Sequence, residues 1–246
     1  MGIDPAIYSR RLCELISKNY SKKDLIPIDN ESNEVSHSQF NINLVKNLII
    51  KSVNENEEKG SSTVCVLLMD NINKTVYSGY LGDSCYLIAR PNGVGQFVKI
   101  FKSEEQTHGF NIPFQVGTEG DDPSQAKCYK HDVEKDDLVI LATDGLWDNI
   151  DVESIINELN LFSKNINSIK INTKEFAKIL SKIAEDLSYK NDYLSPFVKR
   201  AQEYNKNYKR LRGGKPDDIT VIVAQISENE DARNEEMAEI NKSVKF

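Results

Sequence analysis

One stretch, an apolar run that stops abruptly at a carboxylate, constrains this chain more than any other. Residues 138–150 read Leu-Val-Ile-Leu-Ala-Thr-Asp-Gly-Leu-Trp-Asp-Asn-Ile. The first five suit a strand inside a core, and Asp144-Gly145 then breaks the run. An ionised Asp held against a core is costly without a cation or hydrogen-bond donors, so a cation site at the edge of a sheet is one reading. The other is a strand followed by a plain Asp-Gly turn, with Trp147 filling the core. The stretch by itself leaves both open.

Composition narrows the classes. A chain of 246 residues is long enough for one sizeable core, which makes a single domain the expectation. Acidic residues outnumber basic ones by 38 to 31, a formal charge of -7 that argues against a nucleic-acid partner and suits the gathering of divalent cations. The cysteines, Cys13, Cys65, Cys85 and Cys128, show no paired spacing, so neither a zinc ribbon nor a disulfide framework is indicated. They read as reduced thiols of an intracellular protein. No apolar run approaches the roughly 20 residues of a membrane-spanning helix, and no charged-then-apolar leader opens the chain. A soluble protein without a membrane partner is expected, with no targeting segment visible.

Along the chain, Asp4 and Pro5 open a helix reaching about Asn19, with Ile7, Leu12, Leu15 and Ile16 on one side. A polar connection over 30–35 follows, and Ser38 is placed to cap a second helix with Leu44, Val45, Leu48 and Ile49 on one face. Helical spacing ends before Gly60. Strands are expected over 63–69, which reads as buried on both faces, and over 75–81, 84–90, 95–101, 126–133 and 138–143. The segment 102–125, with His108, Phe110 and Phe114, is too irregular for an element and long enough to be an ordered flap. Asp151 caps a helix through Leu159, and Asn172 with Glu175 opens another carrying Phe176, Ile179, Leu180, Ile183 and Leu187. A polar, aromatic-rich connection over 189–214 leads to a last strand over 219–226, and residues 227–246 form a charged tail.

Asp83, Asp144 and Asp217 each sit at a strand end beside Gly or Pro, where turns can aim side chains into one cleft. Carboxylate oxygens without clustered Cys or His favour Mg2+ or Mn2+. A pair of such ions can clamp the attacking and leaving oxygens of a phosphoryl group, the chemistry of a metal-dependent phosphatase. The blander alternatives are a hairpin Asp at 83 and a solvated turn at Asp217-Asp218. His108 is a candidate general acid, set against the commoner role of a hydrogen bond within its own loop. Cys65 and Cys85 fall within strands and read as small core residues.

Four stretches in order carry a resemblance. They are Gly60-Ser61-Ser62-Thr63, Leu81-Gly82-Asp83-Ser84, 142–148 (Ala-Thr-Asp-Gly-Leu-Trp-Asp) and 217–223 (Asp-Asp-Ile-Thr-Val-Ile-Val). Together they resemble the metal-dependent type 2C (PPM) protein serine/threonine phosphatases over residues 2–226. The likeness is closest to the branch of mitochondrial and T-cell-activation-associated type 2C-like enzymes, which have stretches similar to 105–115, 193–197 and 212–218.

The resemblance implies an α+β fold, a β-sandwich of two antiparallel sheets flanked by helices. It also implies a centre of two Mn2+ or Mg2+ ions, with a third, weaker position. Asp144 and Asp217 match metal-ligand positions and Asp83 matches the weaker one. Asp218 stands where many members carry Asn, and it is expected, with Gly145, behind the ligands rather than among them. Members also carry an acidic first strand and an Asp-Gly-x-x-Gly segment whose Asp bridges the two metals. Neither is present here, and Asp4, which opens a helix, is not counted as that ligand. The expectation is therefore a type 2C domain over 1–226 without its N-terminal strands.

The implied activity is hydrolysis of phosphoserine and phosphothreonine by a metal-activated water, without a phosphoenzyme. The partners would be phosphorylated proteins, the state monomeric, and the compartment cytoplasmic or mitochondrial. A noncatalytic binding or regulatory module with the same fold is the alternative, motivated by the absent N-terminal ligands.

Overall fold

The computed structural model describes residues 4–21 and 41–227. Its helices are α1 Pro5–Ser21, α2 Ile42–Asn54, the one-turn α3 Asp144–Trp147, α4 Val152–Ile166, α5 Thr173–Ser188 and α6 Pro196–Tyr204. Strands β1 Ser61–Ser62, β2 Val64–Asp70, β3 Thr75–Leu81, β4 Cys85–Pro91 and β5 Phe97–Lys102 come first. The flap holds β6 Thr107–Gly109, β7 Ile112–Pro113 and β8 Val116–Gly117, and β9 Lys127–Asp132, β10 Leu138–Ala142 and β11 Val221–Gln225 follow.

Two antiparallel sheets face each other, one ordered β2-β3-β9 and the other β11-β10-β4-β5. Alternation along β4 shows why the layers stack. Cys85, Leu87 and Ala89 join the core under α4 and α5, while Tyr86 and Ile88 turn the other way, against Tyr80 of the facing sheet. A strand covered by helices on one side and a sheet on the other must be apolar on both faces, and β4 is. On the far side α1 and α2 cover the first sheet. The helix lies so close to β3 that a Cβ at Gly79 would come within 2.6 Å of Val45 Cγ1. Between the sheets Tyr86 Oη is bonded to Ser78 Oγ at 2.6 Å and to His131 Nε2 at 2.7 Å.

Several expectations are corrected. Ser38 and the connection over 30–35 lie outside the described residues, as does 228–246 of the charged tail. The second helix is capped by Asn41, whose side chain accepts from Leu44 N at 2.9 Å. Strand β2 is buried on one face only. As the outer strand of its sheet, it leaves Cys65, Leu67 and Met69 half-covered. The Asp-Gly break after β10 starts the helix α3 instead of a free turn. The connection over 189–214 contains α6, begun by Ser195, whose Oγ accepts from Val198 N, with Pro196 at the first helical position. The helix after Asp151 runs on to Ile166, past the expected Leu159.

Register decides what meets at the sheet edge. Ala142 at the end of β10 is opposite both Cys85, where β4 begins, and Val221, where β11 begins. The chain just beyond β10, just before β4 and just before β11 therefore emerges at one edge, carrying Asp144, Asp83 and Asp217.

Candidate metal centre

Asp144 opens α3 and Asp148 closes it one turn later, so the two carboxylates share a face of that turn. Asp217 comes from the segment before β11. One carboxylate oxygen from each lies within 4.8 Å of the others. Lys215 sits among them, its Nζ 2.6 Å from Asp144 Oδ2, 2.6 Å from Asp148 Oδ2 and 3.0 Å from Asp217 Oδ2. The second oxygen of Asp148, a buried residue, accepts from Arg200 Nη2, and Arg200 Nη1 lies 3.6 Å from Glu105 Oε1.

The backbone around the cluster is fixed by hydrogen bonds. Asn149, fully buried, donates from Nδ2 to the Gly145 and Lys215 carbonyls at 2.9 and 2.8 Å. Its Oδ1 accepts from Lys215 N at 2.9 Å. Thr143 Oγ1 donates to the Asp218 carbonyl at 3.1 Å and accepts from Thr220 N at 3.0 Å. Gly145 has to be Gly, because a Cβ there would lie 2.5 Å from the Asp218 carbonyl oxygen. Asp218 thus meets the site through its backbone, and its side chain is exposed.

Charge is in excess here. Asp83 borders a small depression, about 80 Å3, together with Glu105, Asp148, Phe110 and Arg200. Burial, and then the negative charge of Asp144, pushes the Asp83 carboxyl up to about 6. Burial also raises Asp144, against the hydrogen bond from Lys215 that lowers it, and raises Glu105, against the pull of Arg200. For Lys215 burial is the largest single influence and acts downward. The hydrogen bonds from its ammonium to Asp144 and Asp148 together outweigh it and hold the group above the ordinary lysine range. An ammonium occupying the centre of three carboxylates is what a cation-binding donor set looks like, and all-oxygen donors suit a hard divalent ion. The residues present fit such an ion.

Of the residues singled out in the sequence, Asp144 and Asp217 are brought together. Asp83 lies beside them, outside the closest group. His108 is in the flap, its Nε2 2.8 Å from Asp121 Oδ1 and its ring stacked 3.9 Å from Phe114. It borders a separate depression with Asp121 and Gln115. Asp148, Lys215, Arg200 and Glu105 were not singled out in the sequence. The signal for Asp148 was its spacing of four from Asp144, which aligns two side chains once that stretch is helical.

No family model matches the chain. A protein phosphatase PTC7 homolog from Xenopus laevis is 38% identical over 181 residues, which is 70% of this chain and 57% of the relative. A PTC7 homolog, fig, from Drosophila grimshawi is 31% identical over 240 residues, 92% of this chain and 70% of the relative. The chain thus spans a little over half of the Xenopus protein. Among solved structures, the photosystem II phosphatase PBCP superposes with a TM-score of 0.74 at 24% identity, covering 92% of this chain and 82% of that one. The catalytic domain of the serine threonine protein phosphatase PstP, in complex with two manganese ions, superposes at 0.53 and 15% identity, covering 90% and 81%. These two share the fold. With the sandwich, the ordered motifs and the relatives together, the chain belongs to the PTC7-like protein phosphatases of the type 2C (PPM) family.

Proposed function

We propose that this chain forms a phosphatase domain over residues 1–226 that removes phosphate from phosphoserine and phosphothreonine in proteins, using Mn2+ or Mg2+. The observation that carries the reading is the convergence of Asp144, Asp148 and Asp217 on one ammonium at the end of β10. What a divalent cation supplies in such a place is Lewis-acid charge for the phosphoryl oxygens and a more acidic water. Two cations, with a weaker third position at Asp83, are the count that the family resemblance supports. Asp144, Asp148 and Asp217 offer the hard oxygens. Gly145 and the Asp218 backbone set the spacing between the two loops, and Asn149 holds them in register. Lys215 balances part of the charge when the carboxylates hold no metal, and Arg200 orients Asp148 from its other oxygen.

The three cysteines within the sheets are poor candidates for an alternative, covalent route. Burial pushes Cys65, Cys85 and Cys128 up, so they stay protonated at neutral pH, and the thiolate is the nucleophilic form. Four free cysteines suit a reducing compartment, the cytoplasm or the mitochondrion. No helix among the described residues is long and apolar enough to cross a membrane.

Release of inorganic phosphate from a phosphothreonine peptide tests the reading. The expected result is release with Mn2+, none with chelator, and a loss of at least about a hundredfold in Asp144→Ala. Absence of release with Mn2+, or an Asp144→Ala chain as active as the parent, would overturn it.

A further inference from the structure

Residues 199–215 carry seven basic side chains against one acid, Glu203, in a chain whose formal charge is -7. They occupy α6, the 3-10 turn Lys206–Tyr208 and the loop returning to the carboxylates. Arg200 and Lys215 face inward, onto Asp148. Lys199, Lys206, Lys209, Arg210 and Arg212 are exposed, and among the described residues no carboxylate is within ion-pair distance of any of them. The loop is tied back to the helix, with Gln202 Nε2 donating to the carbonyls of Lys209 and Leu211 at 3.3 and 3.1 Å. Among the described residues it is a fixed positive surface without paired carboxylates, and like charges held together are costly unless a partner answers them.

This surface joins the metal centre through aromatic rings. Phe110 of the flap packs against Phe197 at 5.0 Å, Tyr204 at 5.6 Å and Tyr208 at 6.4 Å, and it also borders the depression with Asp83, Glu105 and Asp148. Charge is sorted across this boundary, with carboxylates in the cleft and lysines and arginines on its rim. A ligand suited to both parts has a phosphoryl group for a cation-loaded cleft and further negative charges beside it. The nine residues of α6 span about 14 Å, the length of about four extended residues. A peptide fits better than a nucleic acid, because Tyr204 already uses one ring face on Phe110, at 25° to it. It also fits better than a lipid surface, since Leu211 is the one exposed aliphatic side chain of the segment.

We infer that the rim formed by α6 and the following loop binds acidic residues flanking the phosphorylated residue, which makes acidic phosphosites the favoured substrate class. This rests on the phosphatase reading for the identity of the partner, and its test is separable from that reading. Two labelled phosphoserine peptides, identical except for four flanking positions that are Asp and Glu in one and Ser and Ala in the other, are titrated by fluorescence anisotropy in chelator, where no hydrolysis occurs.

The acidic peptide should bind roughly tenfold tighter at low salt, as several exposed ion pairs each contribute a factor of about two. The preference should shrink with added salt. It should halve or more in the chain with Lys206→Gln, Lys209→Gln and Arg210→Gln, and vanish when the same three become Glu. Equal binding of the two peptides, an unchanged preference in the Glu variant, or stronger competition by a short RNA or by phosphatidylserine vesicles than by unlabelled acidic peptide would overturn the inference. Hydrolysis of p-nitrophenyl phosphate with Mn2+, which does not reach the rim, is read in parallel and should be the same in parent and variants. If that hydrolysis is absent while the peptide preference persists, the phosphatase reading fails and the acidic-peptide surface stands. The reverse pattern removes the surface alone.

Discussion

Strand β10 has acidic residues at both of its ends, and the two ends treat charge in opposite ways. Before it, Asp137 is fully buried and saturated, accepting from Arg90 Nε and Nη2 at 2.7 Å each and from Glu134 N at 2.8 Å. Beyond it, Asp144, Asp148 and Asp217, with Asp83 and Glu105 beside them, share the ammonium of Lys215 and the guanidinium of Arg200. The first end is a saturated cluster, in which Arg90 also pairs with Glu134, and it fastens β4 to β10. The second is an excess of carboxylate over cation, and structural economy alone gives no reason to keep it. The difference separates a carboxylate that holds the fold from carboxylates that we propose hold a cation.

Removing one acid from each end and measuring unfolding by urea in chelator separates the two roles. Asp137→Ala should lose about 3 kcal/mol, because the partly buried Arg90 guanidinium loses its bidentate partner and keeps only the exposed Glu134. Asp144→Asn should lose nothing or gain slightly, since burial already disfavours its charged form. Similar losses at both ends would erase the distinction.

Lys215 sharpens it from the other side. Lys215→Met leaves three carboxylates without their shared ammonium and should cost about 2 kcal/mol of metal-free stability, while raising Mn2+ affinity because no internal cation competes. A stability loss accompanied by weaker Mn2+ binding would show that the lysine supports the metal site instead of standing in for the ion. Gly145→Ala should cost about 1–2 kcal/mol, since the added methyl meets the Asp218 carbonyl. It should also weaken Mn2+ binding by pushing the Asp217 segment from Asp144, an effect calorimetry can read.

The smallest expected effect is on pH dependence. The Asp83 carboxyl is held at about 6 in the folded chain against 3.8 ordinarily, so the folded state binds that proton more tightly. Its contribution is complete below about pH 4 and is lost as pH rises through about 6. Metal-free unfolding midpoints should therefore decline across that window, and Asp83→Asn should flatten the decline. An unchanged slope in Asp83→Asn would assign the decline to another group.

The strands were legible more fully than the site. Runs such as 75–81 and 84–90 stand out between turn residues, whereas the two-sheet sandwich came from the family resemblance. Strand β2, read as buried on both faces because its run is continuously apolar, misled, since nothing local tells that it lies at an edge. Asp144 and Asp217 were legible as carboxylates at strand ends. Asp148 was not, because Asp-Gly reads as a turn and the spacing of four matters only once α3 forms. Arg200 was hidden in a polar connection whose one α-helix is nine residues long, signalled only by Ser195-Pro196, and Lys215 follows directly after that connection. Both reach Asp148 across sequence separations of 52 and 67, and no local pattern encodes such contacts.

Calorimetric titration of Mn2+ into the chain and into Asp144→Asn and Asp137→Ala decides whether this end of β10 takes up a divalent cation. Saturable binding by the parent, abolished in Asp144→Asn and retained by whatever fraction of Asp137→Ala remains folded, is the predicted result. No binding by the parent, or equal binding by Asp144→Asn, would contradict the assignment of the carboxylate-rich end of β10 as a divalent-cation site.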